Sequence, residues 1–176
     1  MLTVSFLETG GFAVGTLHCR DPETGTDRFV YSTSGSIAEA EQRCTVAASR
    51  LPATYVIADP RLKPAYWAGR RDPRFIVSRN PDGSAFDGDS TTCAEPRLLQ
   101  CALENGWIVL GMSIGWHGQQ PNPLPDFPRD PTGRYMRRCP SCQANVGALM
   151  QSINISHQYN DSLHEMSTSK RRPAQA

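Results

Sequence analysis

Cys93-Ala94-Glu95 and Cys139-Pro140-Ser141-Cys142 are the residues of this chain whose types and spacing can do chemistry. Three thiolates can hold a zinc ion and leave its fourth position open to water. A carboxylate two residues from one of the ligands can then move that water's protons. Cys139 and Cys142 stand three apart, so on the first turn of a helix their thiols face the same way. Cys93 must reach them through tertiary packing. A helix N-terminus favours the thiolate form, because its free N–H groups and dipole stabilise negative charge.

Two plainer readings stand beside this one. A structural zinc has four protein ligands and needs one more donor. Cys101 follows Cys93 on the same predicted helix, but eight residues at about 1.5 Å each put it roughly 12 Å away, too far to share a metal. Cys19, Cys44, His117, His157 and His164 stay open as donors. The alternative is three separate buried thiols, a common fate for free cysteine. Cys-x-x-Cys alone is shared with redox motifs. A Cys-x-Glu before it, with helix and strand between, makes the joint pattern more specific.

The first motif is predicted to open a helix, with Thr91 or Thr92 as its cap. Ala94, Leu98, Leu99, Ala102 and Leu103 share one face at helical spacing, and Asn105-Gly106 ends it. Trp107–Ile114 then reads as a buried strand. His117–Gly133, with five prolines, reads as a long loop of the kind that often carries function. Trp116 and His117, at the start of that loop, are candidate substrate-binding residues, though an exposed loop histidine is the plainer reading of His117. The second motif opens another helix, where Cys142, Val146, Leu149 and Met150 share a face.

Upstream, Thr3–Phe6, Phe12–Leu17 and Arg28–Tyr31 read as strands, with turns at Gly10-Gly11 and Asp21–Gly25. Ser36 and Glu39 have capping-box spacing for a helix from Ile37 to about Leu51. Ile37, Cys44, Ala47 and Ala48 would form its buried stripe. Tyr55–Ala58 is a further short strand. Asn80-Pro81-Asp82-Gly83 reads as a hairpin turn between Phe75–Val77 and Ala85-Phe86. Ile153–Ser156 is one more candidate strand. The tail from 161 to 176 is polar and reads as disordered.

The chain has 176 residues, 39% of them apolar and 20% charged, enough for one full domain. Its net charge of +1 sets up no global field towards a polyanion. Six basic residues between Arg61 and Arg79 stand against one acid, with Tyr66, Trp67 and Phe75 among them. Such a segment can meet phosphates and stack unpaired bases, or be a solvated loop whose aromatics pack on the core. No apolar run approaches the roughly 18 residues of a membrane span, and the N-terminus lacks the pattern of a secretory signal. The expectation is a cytoplasmic protein with reduced thiols, in which spaced cysteines point to metal or catalysis.

Cys-x-Glu paired with Cys-x-x-Cys resembles the zinc-dependent nucleobase and nucleoside deaminases, the cytidine-deaminase-like superfamily. The resemblance covers roughly residues 75–150. It departs from the family pattern before Cys139, where Arg138 replaces the usual proline and Pro140 lies between the cysteines. It implies an α/β fold with three layers, α/β/α, around a central mixed sheet. It also implies a zinc-bearing core over 61–160, with 1–60 as a β-rich extension plus first helix on the same domain. Family membership implies zinc held by Cys93, Cys139 and Cys142. Zinc-bound hydroxide would be the nucleophile and Glu95 the proton shuttle, in a hydrolase acting on the C–N bond of a cyclic amidine. The Cys-Ala-Glu-Pro form and the N-terminal third look more like the deaminase domains of bacterial polymorphic toxins than like housekeeping enzymes. That implies cytosine in nucleic acid, unpaired or flipped, as substrate, with single- or double-stranded DNA foremost, and, for a toxin domain, an immunity protein as partner and secretion or delivery out of the producing cell. Deamination of free nucleosides or nucleotides, and a non-catalytic zinc-stabilised binding module, are the other readings.

Overall fold

The computed structural model describes residues 10–62, 92–126 and 130–138, together with Cys142. They form an α/β unit with a four-stranded mixed sheet and two helices. The expected strand at Thr3–Phe6, the basic segment after Leu62, the hairpin around Asn80-Pro81-Asp82-Gly83, and the helix and strand expected beyond Cys142 lie outside the described residues.

β1 (Gly11–Arg20) and β2 (Asp27–Thr33) are an antiparallel pair. The Asp21–Thr26 turn joins them, with the Asp21 carboxylate accepting from the N–H groups of Glu23 and Thr24. Gly10-Gly11 does not form a separate turn, because Gly11 already pairs with Gly118. α1 (Ile37–Ala48) starts with the expected capping box of Ser36 and Glu39. It stops three residues before Leu51, since the residue preceding Pro52 is disfavoured in helical conformation, and both Arg50 and Leu51 donate to the Ala47 carbonyl. Its buried residues are Ala40 and Cys44, whereas Ile37 and Ala48 are exposed. α1 is the crossover that parallel pairing of β2 with β3 (Tyr55–Ile57) requires.

α2 (Ala94–Asn105) ends in a left-handed Gly106 and leads into β4 (Ile108–Gly118), which pairs antiparallel with β1. The sheet order is β3-β2-β1-β4, so β1 and β2 are the interior strands and the chain before residue 60 supplies three of the four strands. β4 runs four residues further than expected, to Gly118. Trp116 and His117 are therefore strand residues, not the start of a loop. The reason is pairing on both edges, since β1 continues to Gly11 on one side and Gly115 bridges Tyr135 on the other.

Side chains alternate along a strand, so Ala13, Gly15, Leu17 and Cys19 share one face of β1 while Phe12, Val14 and Thr16 share the other. α2 lies on the first face. A Cβ on Gly15 would fall 2.7 Å from Leu98 Cδ1 and 3.3 Å from Ala94 Cβ. α1 lies on the second, with the Arg43 guanidinium 4.1 Å from the centre of the Phe12 ring. The core fills the space between the sheet and α2 with Leu17, Val30, Leu98, Leu99, Ala102, Val109 and Ile114. Each fully buried Leu there contributes about 1.5–3 kcal/mol of apolar transfer. Among the described residues no helix is long and apolar enough to cross a membrane.

Candidate metal centre

α2 is buried almost all round. Ala94 through Ala102 are all sequestered from solvent, including Glu95, Arg97 and Gln100. The periodic apolar stripe accounts for Leu98, Leu99 and Ala102 but not for these three polar side chains. Burying them is costly unless each finds partners, and two of their anchors are clear. Arg97 Nη1 donates to the Thr33 carbonyl and Nη2 to the Gly35 carbonyl, both at 2.7 Å. Gln100 Nε2 donates to the Arg61 carbonyl at 2.9 Å.

The helix is capped by Cys93, not by Thr91 or Thr92. Cys93 has extended backbone angles and its thiol makes no capping hydrogen bond. Thr92 instead uses its carbonyl to accept from the Gly35 N–H at 2.8 Å. Glu95 sits in the first turn, where the helix dipole favours a carboxylate. Pro96 is tolerated there because the first-turn N–H groups have no intrahelical acceptor.

The structure brings Cys93, Glu95 and Cys142 together. One ligand atom from each, two Sγ and a carboxylate oxygen, lie within 4.8 Å of one another. Cys142 is fully buried, Glu95 is 4% exposed and Cys93 is half-buried. Cys142 belongs to the main core and Cys93 packs against it. Two sulfur atoms and a carboxylate oxygen at this spacing could hold a metal ion. Cys139 lies outside the described residues, as do His157 and His164.

The remaining cysteines are elsewhere. Cys101 and Cys19 are buried in the main core, Cys101 in the C-terminal half of α2 and Cys19 on the β1 face that packs against it. Burial pushes the Cys19 thiol up to about 12, helped by the neighbouring Cys101 charge. Burial, then the Glu104 carboxylate, pushes Cys101 up to about 11. Both are inert core thiols. Cys44 lies against Thr33 on the α1 side of the sheet, its thiol also raised by burial.

Trp116 pairs with Ala13 and so stands on the α2 face, whereas His117 pairs with Phe12 and stands on the α1 face. Their rings confirm this, Trp116 covering Gly11 and His117 tilted against Phe12 at 5.1 Å. Both reach an open pocket of about 560 Å³ shared with Gln119, Asn122 and Arg134. The pocket lies at the same end of the sheet as the start of α2, because Ser34, one residue before the Gly35 that holds Thr92, donates to the Ala13 carbonyl opposite Trp116. Asp130 ties the returning chain, accepting from Thr132 and from the Tyr135 N–H at 2.8 Å. These bonds hold its carboxyl down to about 2. Arg61 makes ion pairs with Glu41 and Asp59.

No protein-family model, curated protein or solved structure matches the chain.

Proposed function

We propose that the chain is a zinc-dependent hydrolytic deaminase with a cytidine-deaminase-like fold, acting on cytosine in nucleic acid. The observation that carries this reading is the convergence of Cys93, Glu95 and Cys142 at the buried start of one helix. Cys93 and Cys142 would hold zinc, and Cys139, one turn before Cys142 in sequence, would complete the thiolate set. When bound, zinc supplies the Lewis acidity that makes water nucleophilic near neutral pH. Glu95 accepts a proton from the attacking water. It then passes protons to the ring nitrogen and to the departing amine, so that cytosine and water become uracil and ammonia. Burial at a helix start keeps this carboxylate close to the site and away from bulk water. The pocket beside Trp116, with Gln119, Asn122 and Arg134 on its wall, lies at the same end of the sheet as the start of α2 and would be the place to receive an unpaired base.

A second reading rests on the same distances. Glu95 is near enough to both thiols to be a ligand itself, and a set of three cysteines plus Glu95 would close the coordination of a structural zinc.

The deciding experiment is incubation of the zinc-loaded protein with single- and double-stranded DNA, RNA, cytidine and adenosine. Products are read by mass spectrometry as a gain of about 1 Da per converted base, with Glu95→Gln in parallel. The deaminase reading expects conversion by the wild type. Glu95→Gln should stay folded, keep its zinc and lose about 10²-fold or more of the rate. Conversion of cytidine alone would move the substrate to free nucleosides. A Glu95→Gln protein that loses zinc, together with an inactive wild type, would establish the structural site. An active Glu95→Gln variant would sink the catalytic reading.

A further inference from the structure

The Arg97 guanidinium is the largest fully buried side chain among the described residues. A buried cation is expensive, and burial accordingly depresses its basicity. Such a group persists where it holds something that cheaper apolar packing cannot. Arg97 stands one helical turn beyond Cys93 and two residues beyond Glu95, and its fork spans two backbone carbonyls, Thr33 and Gly35.

The Gly35 peptide is engaged from both sides. Its N–H donates to the Thr92 carbonyl immediately before Cys93, and its own carbonyl accepts from Arg97. Gly35 has φ 115°, and a Cβ there would come within 2.6 Å of Arg43 Nη1, so the turn is built for glycine. Ser34 beside it bonds Ala13 at both backbone and side chain. The end of β2 is thus a fixed post, and Arg97 and Thr92 tie the first turn of α2 to it on either side of Cys93 and Glu95.

We infer that Arg97 is a positioning residue for the metal centre: through Thr33 and Gly35 it fixes where Cys93 and Glu95 stand relative to Cys142. This inference rests on the metal reading above. It assigns Arg97 no contact with substrate. The planar fork matters more than the charge, since a lysine ammonium is a point donor that cannot replace the same two bonds in the same geometry.

The test is zinc affinity, measured by competition with a chromophoric chelator, on wild type, Arg97→Gln and Arg97→Lys. Circular dichroism and urea unfolding are recorded on the metal-free proteins. Cobalt(II) replaces zinc in a second series, because its visible bands report ligand geometry. The expectation is a zinc affinity about 10–100-fold weaker for Arg97→Gln, the range for residues that orient metal ligands. Arg97→Lys should show a smaller loss, with altered cobalt bands in both and with the metal-free variants folded. If Arg97→Gln does not fold, Arg97→Lys decides alone. Wild-type affinity and wild-type cobalt bands in the folded variants would overturn the inference, whatever happens to stability. A wild type that binds no zinc would refute the metal centre itself and the inference with it, an outcome distinct from the first.

Discussion

Gly15→Ala should destabilise the protein and loosen the metal centre, although alanine ordinarily stabilises a strand relative to glycine. Gly15 is the point where α2 rests on β1. An added Cβ would sit 2.7 Å from Leu98 Cδ1, 3.0 Å from Ile114 Cδ1 and 3.3 Å from Ala94 Cβ. Leu98 and Ala94 are fully buried and Ile114 nearly so. Neither Leu98 nor Ile114 can swing into open space, and Ala94 has no rotamer to change. The helix must therefore lift, and its first turn carries Cys93 and Glu95. Overpacking of this kind costs about 1–3 kcal/mol, equivalent to a fall of roughly 2–12 °C in Tm for a chain of this size. Urea unfolding gives the number directly. Leu98→Ala alone should cost about 2–5 kcal/mol. In the double variant the new methyl would occupy part of the space Leu98 vacates, so the two penalties should combine to less than their sum by about 0.5 kcal/mol or more. A Gly15→Ala protein as stable as wild type, or strict additivity with Leu98→Ala, would refute this packing.

Thiol labelling separates the cysteines. At pH 8 a thiol near 12, as for Cys19, should react roughly 10³-fold more slowly than one at its ordinary 9.0, and Cys101 should also lag. Zinc should protect Cys93 and Cys142 reversibly, and denaturant should release all six cysteines. A rapid reaction at Cys19 in the folded protein would contradict its burial. Because folding raises these two thiols, their contribution to stability is complete below pH 9 and is lost as pH climbs towards 12, measurable as alkaline unfolding. Asp130 has the opposite sign: its folded value lies below 3.8, so its hold on the 130–135 turn is complete above that pH and lost on acidifying towards 2. Asp130→Asn should reproduce the loss at neutral pH as faster amide exchange at Thr132 and Tyr135. Ser36→Ala should cost about 1 kcal/mol through the capping box, read as a shift in the urea midpoint.

Legibility in the sequence followed the locality of the forces. The α1 cap is readable because Ser36 and Glu39 satisfy each other within one turn, and the end of α2 because Asn105-Gly106 supplies the left-handed glycine that stops it. The motif spacing points to Cys93, Cys139 and Cys142 as ligands with Glu95 beside them; among the described residues Cys93, Glu95 and Cys142 come together, and Cys139 lies outside them. Long-range pairing was less accessible. The extension of β4 through His117 depends on Gly11, Phe12 and Tyr135, none of which is near it in sequence. The face assignment of His117, away from α2, follows from that register and from nothing in its neighbours.

The supporting residues were the least legible, for a physical reason. An amphipathic reading of α2 sends Arg97 and Gln100 to solvent, because their side chains cost energy when buried. Their acceptors are the carbonyls of Thr33, Gly35 and Arg61, groups every residue carries, so no side-chain pattern marks them in advance. A helix held only by apolar packing can slide or rotate at modest cost. One pinned by charge-assisted bonds to two carbonyls on one side of its first turn has a single register. At the start of α2 that restriction falls on the turn that must hold a thiol and a carboxylate at fixed separation, which is where loss of register would be most damaging to a metal site.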